Sequence, residues 1–355
     1  MGIASSEEGF AAKNAVPCCN TRGSLLALDA QTGRRLWQTY MVPDNHGALD
    51  GYSGAGIWSS TPAIDPKRNT IYVRTGNNCS VPAAVEACSA RNSFDPNCND
   101  PMDFFDSIVA LDLGTGAIKW ARRAMDYGAW NVACIATARH NCPEPAGPDY
   151  DFGGAGPNLL TAEGLDIVGI ESKSGIYWAL DPDNGSVRWK TQVAPGGPLG
   201  GIEWGTASDG ERIYVTISNL DGEVYWLQPT GTSVNGGSWA ALDRASGKIL
   251  WQTLTPGACT RASPGSAQGC MALGPVSSAG GVVFAGSMNT DPADPTMFAL
   301  DGSDGKILWS FVAGSSVIAG PAIAGSTVCW GSGYGHFGPH TGTPNNKLFA
   351  FSLGK

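Results

Sequence analysis

An apolar run that closes on Ala-Leu-Asp, a polar turn carrying Gly, and a second run that closes on Trp recur five times along the chain. The copies are Ala27-Leu28-Asp29 with Thr32-Gly33 and Trp37, Ala110-Leu111-Asp112 with Thr115-Gly116 and Trp120, Ala179-Leu180-Asp181 with Asn184-Gly185 and Trp189, Ala241-Leu242-Asp243 with Ser246-Gly247 and Trp251, and Ala299-Leu300-Asp301 with Asp304-Gly305 and Trp309. Asp and Trp stand eight residues apart in every copy. The apolar residues before Asp predict one strand, the x-Gly pair a tight turn that needs positive φ, and the residues leading to Trp the returning strand. Each copy therefore predicts a β-hairpin.

Successive copies lie 83, 69, 62 and 58 residues apart, so the insertions between hairpins shrink toward the C-terminus. Self-similarity at such a period predicts a β-propeller, an all-β fold of four-stranded antiparallel blades. A blade cannot cover both of its faces alone, and the repeated Trp is read as the wedge between neighbours, a large apolar ring whose N–H still needs an acceptor. Residues 1–355 are read as one propeller domain of about five to six blades, with blade hairpins ending at Trp37, Trp120, Trp189, Trp251 and Trp309 and a partial last blade over 317–353. Residues 1–5 read as the end of a strand, so the chain is expected to begin in mid-repeat, without the opening strands of its first blade or a signal peptide.

Composition suits this fold. Of 355 residues, 42% are apolar and 15% charged, with 49 Gly and 23 Pro, enough for a large core and many turns. A formal charge of −9 leaves no basic patch, which argues against nucleic acid and anionic membranes as partners. No apolar run is long enough to span a bilayer. Ten cysteines point to an oxidising, periplasmic or secreted location. Local spacing pairs Cys88 with Cys98, Cys134 with Cys142 and Cys259 with Cys270, and sets Cys18 beside Cys19, with Cys79 and Cys329 left over. Cys18 and Cys19 either bond to each other or each bond elsewhere.

Glu7, Asn77 and Asp151 each stand just past a predicted strand. Three oxygen donors from three blades would suit Ca²⁺, a hard cation that takes six to eight oxygens. Singly, each is equally an ordinary turn former or solvated loop residue, and Lys173 is equally a solvated cation, so spacing alone selects no metal.

The hairpin phrase resembles the repeat of the pyrroloquinoline-quinone (PQQ) dehydrogenases. Thr75-Gly76-Asn77-Asn78, Asp149-Tyr150-Asp151-Phe152-Gly153, Lys173-Ser174-Gly175-Ile176-Tyr177 and Gly201-Ile202-Glu203-Trp204-Gly205 resemble in particular the polyvinyl-alcohol dehydrogenase branch. The likeness runs over essentially the whole chain. It implies an eight-bladed propeller with PQQ on its axis and Ca²⁺ bridging the quinone to Glu7, Asn77 and Asp151, with Glu8 as the fallback for Glu7. Asp151, ahead of Pro157-Asn158-Leu159, is the implied catalytic base, and Asn131 after Trp130 is the competing alignment. Lys173 is implied to contact the quinone carbonyls and Trp58, with a one-residue offset, to stack on the quinone plane. Cys18 and Cys19 resemble the vicinal disulfide that some members set against the other face, and Arg22 closes the loop that carries them.

The reading from sequence is an exported quinoprotein that oxidises alcohol groups, those of polyvinyl alcohol or other secondary alcohols, with PQQ and calcium. No Cys-x-x-Cys-His is present, so electrons would pass to a separate acceptor such as a cytochrome c. Two alternatives stand beside it: a non-enzymatic propeller of the same repeat acting as a protein-binding scaffold, and a sugar dehydrogenase of the same cofactor class. The resemblance also implies that the opening blades of the family's full propeller lie outside this chain.

Overall fold

The computed structural model describes residues 2–3, 17–49, 51–58, 61–136, 139–161, 164–259, 263–335 and 344–352. The chain divides into two compact units, Met1–Leu159 with Leu180–Val187, and Leu160–Ala179 with Arg188–Lys355.

In the first unit β1 (Gly2–Ile3), β2 (Ser24–Leu28) and β3 (Arg35–Tyr40) form a three-stranded antiparallel sheet. Next come β4 (Ser53–Gly54), β5 (Ala63–Asp65), β6 (Thr70–Arg74), β7 (Asn78–Ser80), β8 (Ser107–Asp112) and β9 (Ile118–Arg123). Of these, β5-β6-β8-β9 make a four-stranded sheet, and β4 pairs with β7 beside it. The inner strands β6 and β8 are buried on both faces from Thr70 to Arg74 and from Ser107 to Leu111. The outer strand β9 is only partly covered. A core of Leu25, Met41, Val42, Ile57, Val73, Phe105, Val109 and Leu111 joins the two sheets. Helix α1 (Ala83–Arg91) fills the insertion before β8 and is tied to the following turn by Cys88–Cys98.

The pattern continues beyond β9. Strands β10 (Asn158–Leu160), β11 (Ile167–Glu171), β12 (Ile176–Leu180) and β13 (Val187–Gln192) form one sheet in chain order. Then follow β14 (Ala207–Ser208), β15 (Arg212–Ile217), the small ribbon β16 (Tyr225–Trp226) and β17 (Ser233–Val234), β18 (Ser238–Asp243) and β19 (Ile249–Leu254), with sheet order β14-β15-β18-β19. A further four-stranded sheet runs β20 (Ser277–Ala279), β21 (Val282–Gly286), β22 (Met297–Asp301), β23 (Ile307–Phe311). The last, of three strands, is β24 (Ala322–Ala324), β25 (Thr327–Ser332), β26 (Lys347–Ser352). The protein is all-β. Its one described α-helix has nine residues, and none of the described helices is long and apolar enough to cross a membrane.

The repeated phrase explains this regularity atom by atom. In four of the hairpins the Ala before Leu-Asp pairs with the Trp (Ala27 with Trp37, Ala110 with Trp120, Ala241 with Trp251, Ala299 with Trp309), and the register slips at the next residue. The turn is therefore a bulged loop in which Gly33, Gly116, Gly185, Gly247 and Gly305 all sit near φ +70°, a conformation that costs an L-residue about 1–2 kcal/mol. The Asp side chain holds the loop closed: Asp29, Asp112 and Asp243 each accept from the backbone N–H and hydroxyl of Thr32, Thr115 and Ser246.

The turn Gly has a second reason to be Gly. A Cβ on Gly116 would lie 2.5 Å from Trp37 Cε3, on Gly185 2.5 Å from Trp120, on Gly247 2.3 Å from Trp189 and on Gly305 2.4 Å from Trp251. Each Trp therefore lies on the turn Gly of the following copy. Its indole N–H donates to a carbonyl there: Leu113, Pro182, Arg244 and Gly302 respectively. Two residues on, Thr39, Thr191 and Thr253 donate to the carbonyls of Gly116, Gly247 and Gly305. Trp309, in the last copy, meets Phe311 and Phe351 instead, with ring centroids 5.9 and 5.0 Å away.

Candidate functional site

The candidate residues of the first unit lie where buried strands end. Strand β6 runs into Thr75-Gly76-Asn77, and both sides of that segment are fixed. Thr75 exchanges hydrogen bonds with Ser107, Gly76 N–H donates to Gly56 O and Gly76 O accepts from Asp106 N–H, while Asn77 O accepts from Ala55 N–H at 2.7 Å. Gly76 is the point of closest approach, since a Cβ there would lie 3.0 Å from both Asp151 Oδ2 and Trp58 Nε1. Trp58 Nε1 donates to Asp151 Oδ2 at 3.2 Å, and Gly153 N–H donates to Oδ1 at 3.0 Å. Asp151 is 2% exposed. Trp58, Gly76 and Asp151 are thus brought together, with Asn77 covalently attached.

Asn77 has one conspicuous feature. It is buried, and its Nδ2 finds no hydrogen-bond partner among the described residues. A buried amide N–H without an acceptor costs roughly 1–3 kcal/mol, so such a group is expected to meet an acceptor from beyond the described residues. An aromatic plate, a carboxylate and an orphan amide donor are groups that suit a planar quinone bearing carboxylates, and the Asn and Asp oxygens are of the kind a hard cation takes. Among the described residues no three His, Cys, Asp or Glu side chains cluster as a metal site. Glu7 and its fallback Glu8 lie outside the described residues.

Asn131, the competing position for the base, is committed to structure. Its Nδ2 donates to the carbonyls of Cys79 and Asn141, and its Oδ1 caps the 3₁₀ turn Val132–Ile135 through Ala133 N–H. Cys18 and Cys19 are bonded to each other, and Cys19, fully buried, accepts through its carbonyl from Ser80 at the end of β7, three residues past Asn77. Cys88–Cys98, Cys134–Cys142 and Cys259–Cys270 are the other disulfides, and Cys79 and Cys329 take part in none. Arg22 pairs with Asp44 at 3.4 Å and lies over the Tyr40 ring at 3.8 Å.

Lys173 belongs to the second unit. It follows β11 by two residues and is 6% exposed, so it is not a solvated loop cation. Its carbonyl accepts from Gly197 N–H, and Gly201, at φ +65°, approaches that carbonyl so closely that a Cβ would lie 2.2 Å away. Glu171, two residues earlier, is also fully buried.

Two buried ionisable residues escape a reading of the sequence. Arg74 ends β6 with 0% exposure. Its guanidinium lies 4.6 Å from the Trp58 ring centroid and donates to the carbonyls of Trp58 and, at 2.9 Å, Ala155. Asp103 accepts from Asn78 Nδ2 at 2.7 Å, and its burial pushes the carboxyl up to about 7 against the pull of that hydrogen bond. The signal for Arg74 was present, a charge closing the apolar run Thr-Ile-Tyr-Val immediately before Thr-Gly-Asn.

The fold and these residues define a class. Residues 9–139 match the family model described as the β-propeller domain of glucose/ethanol/alcohol dehydrogenases, and residues 235–337 match the model described as outer membrane protein assembly factor BamB. The solved quinohemoprotein alcohol dehydrogenase from Comamonas testosteroni shares the fold, with a TM-score of 0.58 and 20% identity over 88% of this chain and 53% of that one. The chain belongs to the PQQ-repeat β-propellers of the quinoprotein alcohol dehydrogenase superfamily. Within that class it is 33% identical to a polyvinylalcohol dehydrogenase of Pseudomonas sp. and 31% identical to that of Sphingopyxis sp. (strain 113P3), each over 99% of this chain. It spans 54% of the length of either relative.

Proposed function

We propose that this chain forms the greater part of the propeller domain of a PQQ- and calcium-dependent alcohol dehydrogenase acting on polyvinyl alcohol or other secondary alcohols. The domain it belongs to would be a single eight-bladed propeller, since one repeat runs through both compact units. The observation that carries the reading is the Trp58–Gly76–Asp151 cluster with the orphan amide N–H of Asn77 beside it.

Bound PQQ would supply a two-electron acceptor and Ca²⁺ a Lewis acid. Trp58 would hold the quinone plane, the carboxamide of Asn77 and the carboxylates of Asp151 and Glu7 would hold the cation, and Lys173 would lie by the quinone oxygens. Asp151 takes the proton of the substrate hydroxyl. Its carboxylate is held in place for this by the Trp58 indole N–H on Oδ2 and the Gly153 backbone N–H on Oδ1. The carbinol C–H bond would break as the carbonyl forms, its hydrogen and both electrons leaving for the two-electron acceptor that PQQ would supply, and a separate acceptor such as a cytochrome c would then take the electrons away. The vicinal disulfide and Arg22 line the same segment of the chain as candidate cofactor contacts. Four disulfides support a periplasmic or secreted setting.

The scaffold reading draws on the second family match, yet residues 235–337 contain none of Trp58, Asn77, Asp151 or Lys173, so that match speaks to the repeat and not to the site. The test is dye reduction by a secondary alcohol with added PQQ and Ca²⁺. Asp151→Asn should lower the rate by about 10²–10⁴, the usual worth of a positioned base. Turnover unchanged in Asp151→Asn would refute the assignment of the base.

A further inference from the structure

We infer that Arg74 is the positioning residue that builds the candidate cofactor platform, holding Trp58, the Thr75-Gly76-Asn77 segment and the Asp151 loop in one geometry. The inference rests on the functional reading above for what the platform carries, but its structural content stands by itself.

Three segments of the first unit meet at this side chain. Arg74 is the last residue of β6, so its own backbone leads directly into Thr75-Gly76-Asn77. One guanidinium nitrogen donates to the Trp58 carbonyl. Nε donates at 2.9 Å to the carbonyl of Ala155, four residues past Asp151 on the same loop. Both acceptors lie in irregular chain, outside any sheet ladder that could satisfy or place them. The guanidinium plane also lies against the Trp58 ring, 4.6 Å from its centroid. Only an arginine does all of this at once, because its fork is rigid, planar and permanently charged, whereas lysine offers a single flexible point charge.

The consequence for the site is geometric. Trp58 reaches Asp151 Oδ2 through its indole N–H, and both approach Gly76, so a shift of the Trp58 backbone or ring displaces the carboxylate contact and the surface above Gly76 together. Because the guanidinium occupies one face of the indole, only the opposite face remains for a stacked planar ring. The charge is fully buried and shared with the indole, where cation–π attraction is strongest. Arg74 therefore acts on a bound quinone through Trp58 and touches none of the reacting atoms.

The test compares the wild-type chain with Arg74→Lys and Arg74→Met in two measurements. The first is a fluorescence titration with PQQ in the presence of Ca²⁺. Loss of the fork and the charge should weaken binding by tenfold or more in Arg74→Met, equivalent to about 1.4 kcal/mol, with Arg74→Lys restoring part of the loss. The second needs no cofactor: the Trp58 emission, taken as the difference between each protein and its Trp58→Phe counterpart, should shift in Arg74→Lys. A merely structural role predicts a lower Tm with PQQ affinity and Trp58 emission unchanged in the folded protein, and that result overturns the inference. If Arg74→Met does not fold, Arg74→Lys decides by the same criteria. If the wild-type chain fails to bind PQQ, the functional reading falls, and the Trp58 emission still decides the role of Arg74.

Discussion

Asp103→Asn should stabilise the protein, and by an amount that depends on pH. The carboxyl is completely buried, accepts from Asn78 Nδ2 at 2.7 Å, and has a pKa pushed from 3.8 up to about 7, chiefly by burial. Above the unfolded value the unfolded chain releases this proton while the folded chain keeps it, so the folded state binds more protons and stability falls as pH rises. The loss begins near the unfolded pKa, ends near the folded one, and is absent below the former. Each pH unit within that window is worth about 1.4 kcal/mol, so from about pH 5 to about pH 8 the wild type should lose roughly 3 kcal/mol through this one group. Asparagine has the same shape, stays neutral and still accepts from Asn78 Nδ2. It can also donate to Asn78 Oδ1, which finds no hydrogen-bond partner among the described residues. Urea unfolding of both proteins at the two pH values gives the double difference directly. The variant's advantage over wild type should be larger by about 3 kcal/mol at the higher pH than at the lower. A difference that does not change with pH would mean that Asp103 is ionised throughout in the folded protein, and the reasoning from burial would be wrong.

The remaining predictions concern the repeat. Gly247→Ala combines an unfavourable φ of +71° with a Cβ 2.3 Å from Trp189, whereas Gly231→Ala meets a similar φ of +70° in open space. Thermal unfolding should therefore show the first variant less stable than the second by about 2 kcal/mol, the cost of displacing a close-packed ring, and equal losses would show that the Trp–Gly contact contributes nothing. The turn carboxylates Asp29, Asp112, Asp243 and Asp301 titrate below the usual range because the hydroxyls of Thr32, Thr115, Ser246 and Ser303 bond to the charged form. Their folded pKa values are depressed, so the stability they contribute is present above the unfolded pKa and is lost as pH falls through the folded values. Replacing the four hydroxyl residues by alanine should flatten the acid limb of the stability curve below about pH 4, and an unaltered limb would count against the assignment.

The hairpins and their order were legible because one phrase carries three constraints at once: the period-two apolar run, the Gly that must take positive φ, and the Trp that needs a neighbour. What the phrase could not convey is that the last two constraints are one contact, with the Trp of each copy lying on the Gly of the next. That pairing is separated by 54 to 79 residues of sequence and exists only once the sheets are stacked. The Asp of the phrase reads as punctuation and proves to be the bond that closes the loop. At the candidate site, Trp58, Asn77 and Asp151 are singled out by family resemblance and lie close together in the structure, while the resemblance offered no hint of Arg74 or Asp103. Arg74 looks like an ordinary strand-end charge, and Asp103, within Asn99-Asp100-Pro101-Met102-Asp103, like a solvated loop residue. Both are buried by tertiary packing that local pattern does not encode. Lys173 shows the same limit from the other side, since its local surroundings suggest a solvated cation and the structure buries it.

The most direct test of the account is whether the intact chain binds PQQ. Titrated with PQQ in the presence of Ca²⁺, the wild-type protein should show saturable quenching of its tryptophan fluorescence with one equivalent bound, and Asp151→Asn should bind less tightly once Ca²⁺ is added. Quenching that stays linear in PQQ concentration, with no saturation and no dependence on Ca²⁺, would contradict the assignment of Trp58, Asn77 and Asp151 as a cofactor site.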